Sequence, residues 1–94
     1  MGVQVDRKVG EAIFVLSGCP DAKQVYLVGD FNQWNPARKR MARYRDGSFR
    51  AKVNLRPGEY QYKFVADGVW LNDLEAERQV ANPFGSVNSM VRID

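Results

Sequence analysis

Clusters of Gly, Pro, Asn and Asp punctuate this chain roughly every ten residues, and between them apolar residues alternate or run in strand-sized blocks. No stretch has the spacing of an amphipathic helix of standard length. The rhythm is that of an all-β fold, an antiparallel β-sandwich of about seven strands. The first full strand is expected over residues 12–16, with a short one before it around residues 3–7. A Cys19-Pro20-Asp21 turn leads to a strand over residues 24–28, which is apolar on both faces and so expected to be central. Residues 29–40 read as an irregular loop carrying Phe31, Trp34 and Pro36. After an Asp46-Gly47 turn, Phe49, Ala51, Val53 and Leu55 alternate with Arg50, Lys52 and Asn54, the period of a half-buried strand. Beyond Pro57-Gly58, Tyr60, Tyr62 and Phe64 alternate with Gln61 and Lys63. Asp67-Gly68 is the strongest hairpin signal, a two-residue type I′ turn returning through Val69 and Trp70. Residues 72–82 carry the weakest pattern, with one helical turn expected over residues 74–78. The last strand is expected over residues 86–93, with Val87, Val91 and Ile93 on one face and Ser86, Asn88 and Arg92 on the other. Tyr60, Tyr62, Phe64, Val53, Leu27 and Val91 form the expected core.

At 94 residues there is room for one core, so residues 1–94 are read as a single domain. The apolar runs are strand-sized and fall far short of the roughly 18 to 20 residues that cross a membrane. Leu16-Ser17-Gly18-Cys19 has the look of a lipoprotein cleavage box with Arg7 and Lys8 upstream, but Glu11 interrupts a stretch too short for a signal core. A strand ending in a turn is the reading adopted. One cysteine excludes an intrachain disulfide and a multi-cysteine metal site, and points to a reduced, cytoplasmic setting. The absence of histidine removes the commonest general base and zinc ligand. No phosphate loop or metal-ligand spacing appears, so no cofactor or metal is expected.

The hairpin register places individual side chains. With Asp67-Gly68 at the tip, Val65 lies opposite Trp70, and Trp70 shares a face with Val65 and Lys63. Lys63 and Trp70 become diagonal neighbours, roughly 7 to 8 Å apart at the backbone. That face is outward if Tyr60, Tyr62 and Phe64 fill the core. An indole beside an ammonium suits a sugar, whose apolar C–H patch a flat ring covers while polar groups bond the hydroxyls. The competing reading is an indole packed beneath a loop. Trp34, set among Asn32, Gln33 and Asn35, divides in the same way between a sugar platform and a plug at the end of the sandwich.

Four segments stand out: Val25-Tyr26-Leu27-Val28-Gly29-Asp30-Phe31-Asn32-Gln33-Trp34-Asn35, Pro57-Gly58-Glu59-Tyr60-Gln61-Tyr62-Lys63-Phe64, Asp67-Gly68 before Trp70, and Asn82-Pro83-Phe84-Gly85-Ser86-Val87-Asn88. In this order and spacing they closely resemble the glycogen-binding domains of carbohydrate-binding module family 48. Known members include the module of the AMP-activated protein kinase β-subunit and the N-terminal domains of isoamylases, pullulanases and branching enzymes. The resemblance covers residues 10–93. It implies an immunoglobulin-like, early-set sandwich that binds α-1,4-linked glucans such as glycogen and starch. It also implies sugar stacking by Trp34 and Trp70, with Lys63 bonding hydroxyls. A late loop in the family carries a leucine, a threonine and an asparagine against the glucan, and the matching positions are Phe84, Ser86 and Asn88. Serine keeps the hydroxyl. Phe84 is the one departure, and a bulkier flat group there bears on glucan curvature and chain length. Many enzyme-attached members have lost these residues, which makes their joint presence informative.

Three classes of function are weighed. A non-catalytic glucan-binding module is the reading adopted. An enzyme is not expected, since glycoside hydrolysis needs two carboxylates about 5 to 9 Å apart across a cleft. Asp30, Asp46, Asp67 and Asp73 fall instead where Asp serves turns. The alternative is a regulatory sandwich that docks on a glycan-metabolising enzyme or kinase without binding sugar. Arg38, Lys39, Arg40, Arg43 and Arg45 supply much of the net charge of +3. They are read as a solvated basic loop and not as a nucleic-acid surface.

Overall fold

The computed structural model describes residues 2–6 and 10–93. Two antiparallel sheets make an immunoglobulin-like sandwich. One holds β1 (Gly2–Asp6), β2 (Glu11–Leu16), β5 (Ala42–Arg43) and β6 (Phe49–Asn54) in the order β1-β2-β6-β5. The other holds β3 (Val25–Gly29), β4 (Lys39–Arg40), β7 (Gly58–Ala66), β9 (Arg78–Ala81) and β10 (Val87–Ile93) in the order β4-β3-β7-β10-β9, with β8 (Val69–Leu71) also paired to β7. The one helical segment among the described residues is a 3₁₀ turn, Asp30–Asn32. Among the described residues no helix is long and apolar enough to cross a membrane.

Alternation decides what each sheet buries. In β7, Tyr62 and Phe64 are fully enclosed; they share the inner side of their sheet with Val25 and Leu27 of β3 and face Phe14 of the other sheet, all equally buried. The Phe14 and Tyr62 rings meet edge-on across the two sheets, with centroids 4.9 Å apart at 75°. Such edge-to-face pairs add about 0.5–1.5 kcal/mol beyond the area they bury. All six expected core residues lie in or against this cluster, Val53 and Tyr60 being partly buried at its margin.

Three expectations need correcting. Residues 74–78 form no helical turn; a turn at Leu74 and Glu75 leads into edge strand β9. Lys39 and Arg40 are not loop but a two-residue strand on β3, and Ala42–Arg43 forms another on β6. Ser86 precedes β10 and lies in the bend before it. The N-terminal strand is present as β1; its expected last residue, Arg7, lies outside the described residues.

The Asp67-Gly68 turn has φ of 48° and 83° at its two residues, as a type I′ turn requires. The observed register, Val65↔Trp70 and Ala66↔Val69, is the one deduced from the sequence. The tip is also tied down. Asp67 N–H donates to the Gln24 carbonyl at 2.9 Å, and its carboxylate accepts from the N–H groups of Lys23 and Gln24. Those amide bonds, Gln24 first, hold the Asp67 carboxyl below the usual carboxylate range.

Candidate functional site

The outward face of the β3–β7–β10 sheet carries a groove of about 450 Å3 lined by Trp34, Lys63, Trp70, Phe84, Ser86 and Asn88, together with Asn82 and Pro83. Four separate stretches of chain contribute, and three devices place their side chains.

Strand parity sets Lys63, Trp70 and Asn88. Their neighbours Tyr62 and Ser89 are fully buried, so Lys63 and Asn88 point the other way. Trp70 pairs with Val65 on that outward face and is 47% exposed.

Trp34 is placed by a loop. Phe31 turns inward against Phe14, at 5.4 Å between ring centroids. Asn32 is buried and replaces strand pairing at the end of β3: its Oδ1 accepts from Gly29 N–H at 3.1 Å, and its Nδ2 donates to the Leu27 carbonyl at 2.9 Å. Gln33 and Trp34 then both adopt left-handed backbone, with φ of 55° and 56°. For side chains with a Cβ that conformation costs about 1 kcal/mol or more each. The Trp34 N–H bond to the Gly29 carbonyl, 3.0 Å, closes the turn. The chain thus reverses sharply, and the half-buried indole comes up beside Lys63 instead of plugging the sandwich.

The late loop is organised by Asn82. Its Oδ1 accepts from the N–H groups of Phe84 (3.0 Å) and Ser86 (3.1 Å), and Gly85 takes φ of 79°. This leaves the Phe84 ring 90% exposed on a turn with defined geometry. The polar groups of the groove are mutually bonded. Lys63 Nζ donates to Ser86 Oγ at 3.2 Å, Asn82 Nδ2 to Asn88 Oδ1 at 3.1 Å, and Asn88 Nδ2 to Gln61 Oε1 at 2.9 Å. Lys63 is the only charged residue among those lining the groove. Two aromatic rings, an exposed phenyl and a row of neutral donors and acceptors suit a flat, uncharged, hydroxyl-rich ligand.

The structure therefore brings all six site residues expected from the sequence onto one surface. It adds Asn82 and Pro83 to the lining, and Gln61 and Asp30 behind it. Asp30 does more than terminate a strand: its carboxylate accepts from Trp34 Nε1 at 3.0 Å and from Gln61 N–H at 2.7 Å. Asp73 is also more than a turn residue. It is buried, and its Oδ2 accepts from the Tyr62 hydroxyl at 2.6 Å. Nothing local in the sequence signals either role. In the basic run, Arg38 is tied to Gln33 Oε1 (3.1 Å), and Arg43 bonds the carbonyls of Pro20 and Ala22 while lying over the Phe49 ring. These two arginines are committed to holding loops.

Several known proteins are similar to this chain. The human 5'-AMP-activated protein kinase subunit beta-1 is 38% identical over 71 residues, which is 76% of this chain and 25% of that one. The pig protein of the same name is 38% identical over 71 residues, covering 55% of its length. The rice protein FLOURY ENDOSPERM 6, chloroplastic, is 44% identical over 52 residues, 55% of this chain and 10% of the other. The chain thus spans about half or less of these relatives. The family described as the glycogen recognition site of AMP-activated protein kinase matches residues 14–94, and the chain belongs to that family.

Proposed function

We propose that this chain is a non-catalytic module that binds α-1,4-glucans such as glycogen and starch. Trp34 and Trp70 stack on glucose rings, Lys63, Ser86 and Asn88 exchange hydrogen bonds with hydroxyls, and Phe84 presses on the chain from the late loop. The observation that carries the reading is the convergence of two indoles, one ammonium and an exposed phenyl on a single uncharged-ligand groove. Family membership supports it. The whole of residues 1–94 acts as one binding domain with no reaction of its own. Its partner, or the rest of its chain, is a kinase or a glycan-metabolising enzyme that it brings to polysaccharide. The relatives that are kinase subunits support that inference, and a cytoplasmic setting accompanies it; the chloroplastic rice relative leaves the compartment open to test by localisation.

The test is a titration with maltoheptaose or β-cyclodextrin at two salt concentrations, repeated on Trp34→Ala and Trp70→Ala. Glucan affinity should be nearly independent of salt, because one lysine faces a neutral ligand. Both variants should lose most retention on an amylose gel while melting close to the parent, since neither ring is part of the core. Unchanged retention in both, with native-like melting, would leave the docking-module alternative in front.

A further inference from the structure

We propose that Asp30 is the positioning residue of the groove: it holds the Trp34 indole in the orientation that stacks on sugar, and so sets glucan affinity without touching glucan. The inference rests on reading the groove as the glucan site. Its two carboxylate oxygens serve different masters. Oδ2 accepts from the N–H of Gln61, a backbone group of the long strand β7. Oδ1 accepts from Trp34 Nε1. The carboxylate is therefore a rigid bridge from sheet to indole. The left-handed backbone at Trp34, closed by its bond to Gly29, fixes where the side chain starts but leaves its two torsions free. The Nε1–H bond restricts that freedom, because a ring turned away from Oδ1 loses it. It also occupies the one donor of the indole, so Trp34 offers a ligand its ring face alone. For Trp70, strand pairing sets where the side chain starts, on the face shared with Lys63. Asp30 does not line the groove, and its effect on a ligand passes through Trp34.

The bridge continues into the late loop. Gln61 accepts from Asn88, Asn88 accepts from Asn82, and Asn82 holds the Phe84 and Ser86 amides. The two lips of the groove are thus joined through Gln61 to the same strand, and Asp30 is the link that serves the Trp34 lip.

The experiment is a double-mutant cycle read by maltoheptaose titration, using Asp30→Ala, Trp34→Phe and the pair. Trp34→Phe keeps a flat ring but has no N–H to hold. Asp30→Ala alone should weaken binding about fivefold to tenfold, the usual worth of ordering one side chain before binding. On the Trp34→Phe background it should add less than about twofold. Asp30→Asn, with one acceptor oxygen for two donors, should fall between, and it carries the comparison if Asp30→Ala melts early. In heteronuclear NMR spectra, the indole N–H of Trp34 should exchange faster with solvent in Asp30→Ala while that of Trp70 stays unchanged. Wild-type affinity in Asp30→Ala and in Asp30→Asn, or an equal loss on both backgrounds, would overturn the proposal. Should Trp34→Ala bind normally, the glucan reading of the groove falls first; should Trp34→Ala fail to bind while Asp30→Ala is normal, only the positioning role falls.

Discussion

Tyr62 is fully enclosed, whereas Trp70, on the strand paired with the same β7, is 47% exposed. Parity puts them on opposite faces of the sheet, so their substitutions should have opposite effects. The Tyr62 hydroxyl donates to buried Asp73, whose other oxygen accepts from Glu75 N–H at 3.0 Å. Tyr62→Phe keeps the ring against Phe14 and Phe64 but leaves Oδ2 of a buried carboxylate without that donor. A loss of about 1–3 kcal/mol in urea denaturation is expected, with unchanged glucan retention. A neutral Tyr62→Phe would mean that Asp73 finds water or another donor. Residues such as Trp70 and Lys63 were legible in the sequence because a two-residue turn and a period of two determine a face. Asp30 and Asp73 were not, since an aspartate at a strand end looks the same whether it caps its own turn or bonds a group 31 residues away, as Asp30 does with Gln61.

Among the elements, the strands with clear alternation and strong turns were all foreseen, and the shortfall is physical. β4 and β5 are two residues each, too short to show a period. β9, Arg78–Ala81, is an edge strand with three of four residues exposed, so no buried face marks it. The turn after β3 was read as irregular loop; its form comes from side-chain bonds of Asn32 and Asp30 and from left-handed backbone, none of which has a period. Gly29 is the element's sensitive point. Its φ of −177° is open to any residue, but a Cβ there would sit 2.6 Å from the Gln61 carbonyl oxygen and 2.8 Å from the Phe31 ring. Gly29→Ala must push β3 from β7 or expel Phe31. It should cost about 1–3 kcal/mol. It should also weaken glucan binding, because the turn that presents Trp34 begins at this residue. Thermal melting and amylose-gel retention on the same sample check both effects, and a variant that melts like the parent would show that the β3–β7 spacing has slack.

At the scale of the whole molecule, a few titrating groups bound the pH range over which this sandwich is stable. Gln24 and then Lys23 N–H bonds hold the Asp67 carboxyl below its ordinary value, and the Ser48 hydroxyl and N–H do the same for Asp46. A lowered carboxyl contributes stability above its unfolded value of about 4 and loses it as pH falls through the lower folded value. Tyr62 is shifted the other way: burial first, then the hydrogen bond and charge of Asp73, push its phenol well above the usual tyrosine range. Its contribution is complete below the unfolded value of about 10 and erodes as pH rises beyond it. Stability should therefore be flat between those limits with respect to these groups and fall on either side. Asp67→Asn isolates the acid limb. The amide keeps an oxygen for both amides that Oδ1 now serves, and asparagine tolerates the φ of 48° at this turn position. What it removes is the charge that ties the β7–β8 tip to the start of β3, together with the second acceptor, Oδ2, that Lys23 N–H now shares. The variant should be less stable than the parent at pH 7, and the gap should narrow as pH falls below the unfolded value of about 4 and close once the parent's own folded carboxyl is protonated. Urea denaturation of both proteins at pH 7 and down through the acid range measures it. A gap of the same size at low pH would show that shape, and not charge, holds the tip that carries Trp70.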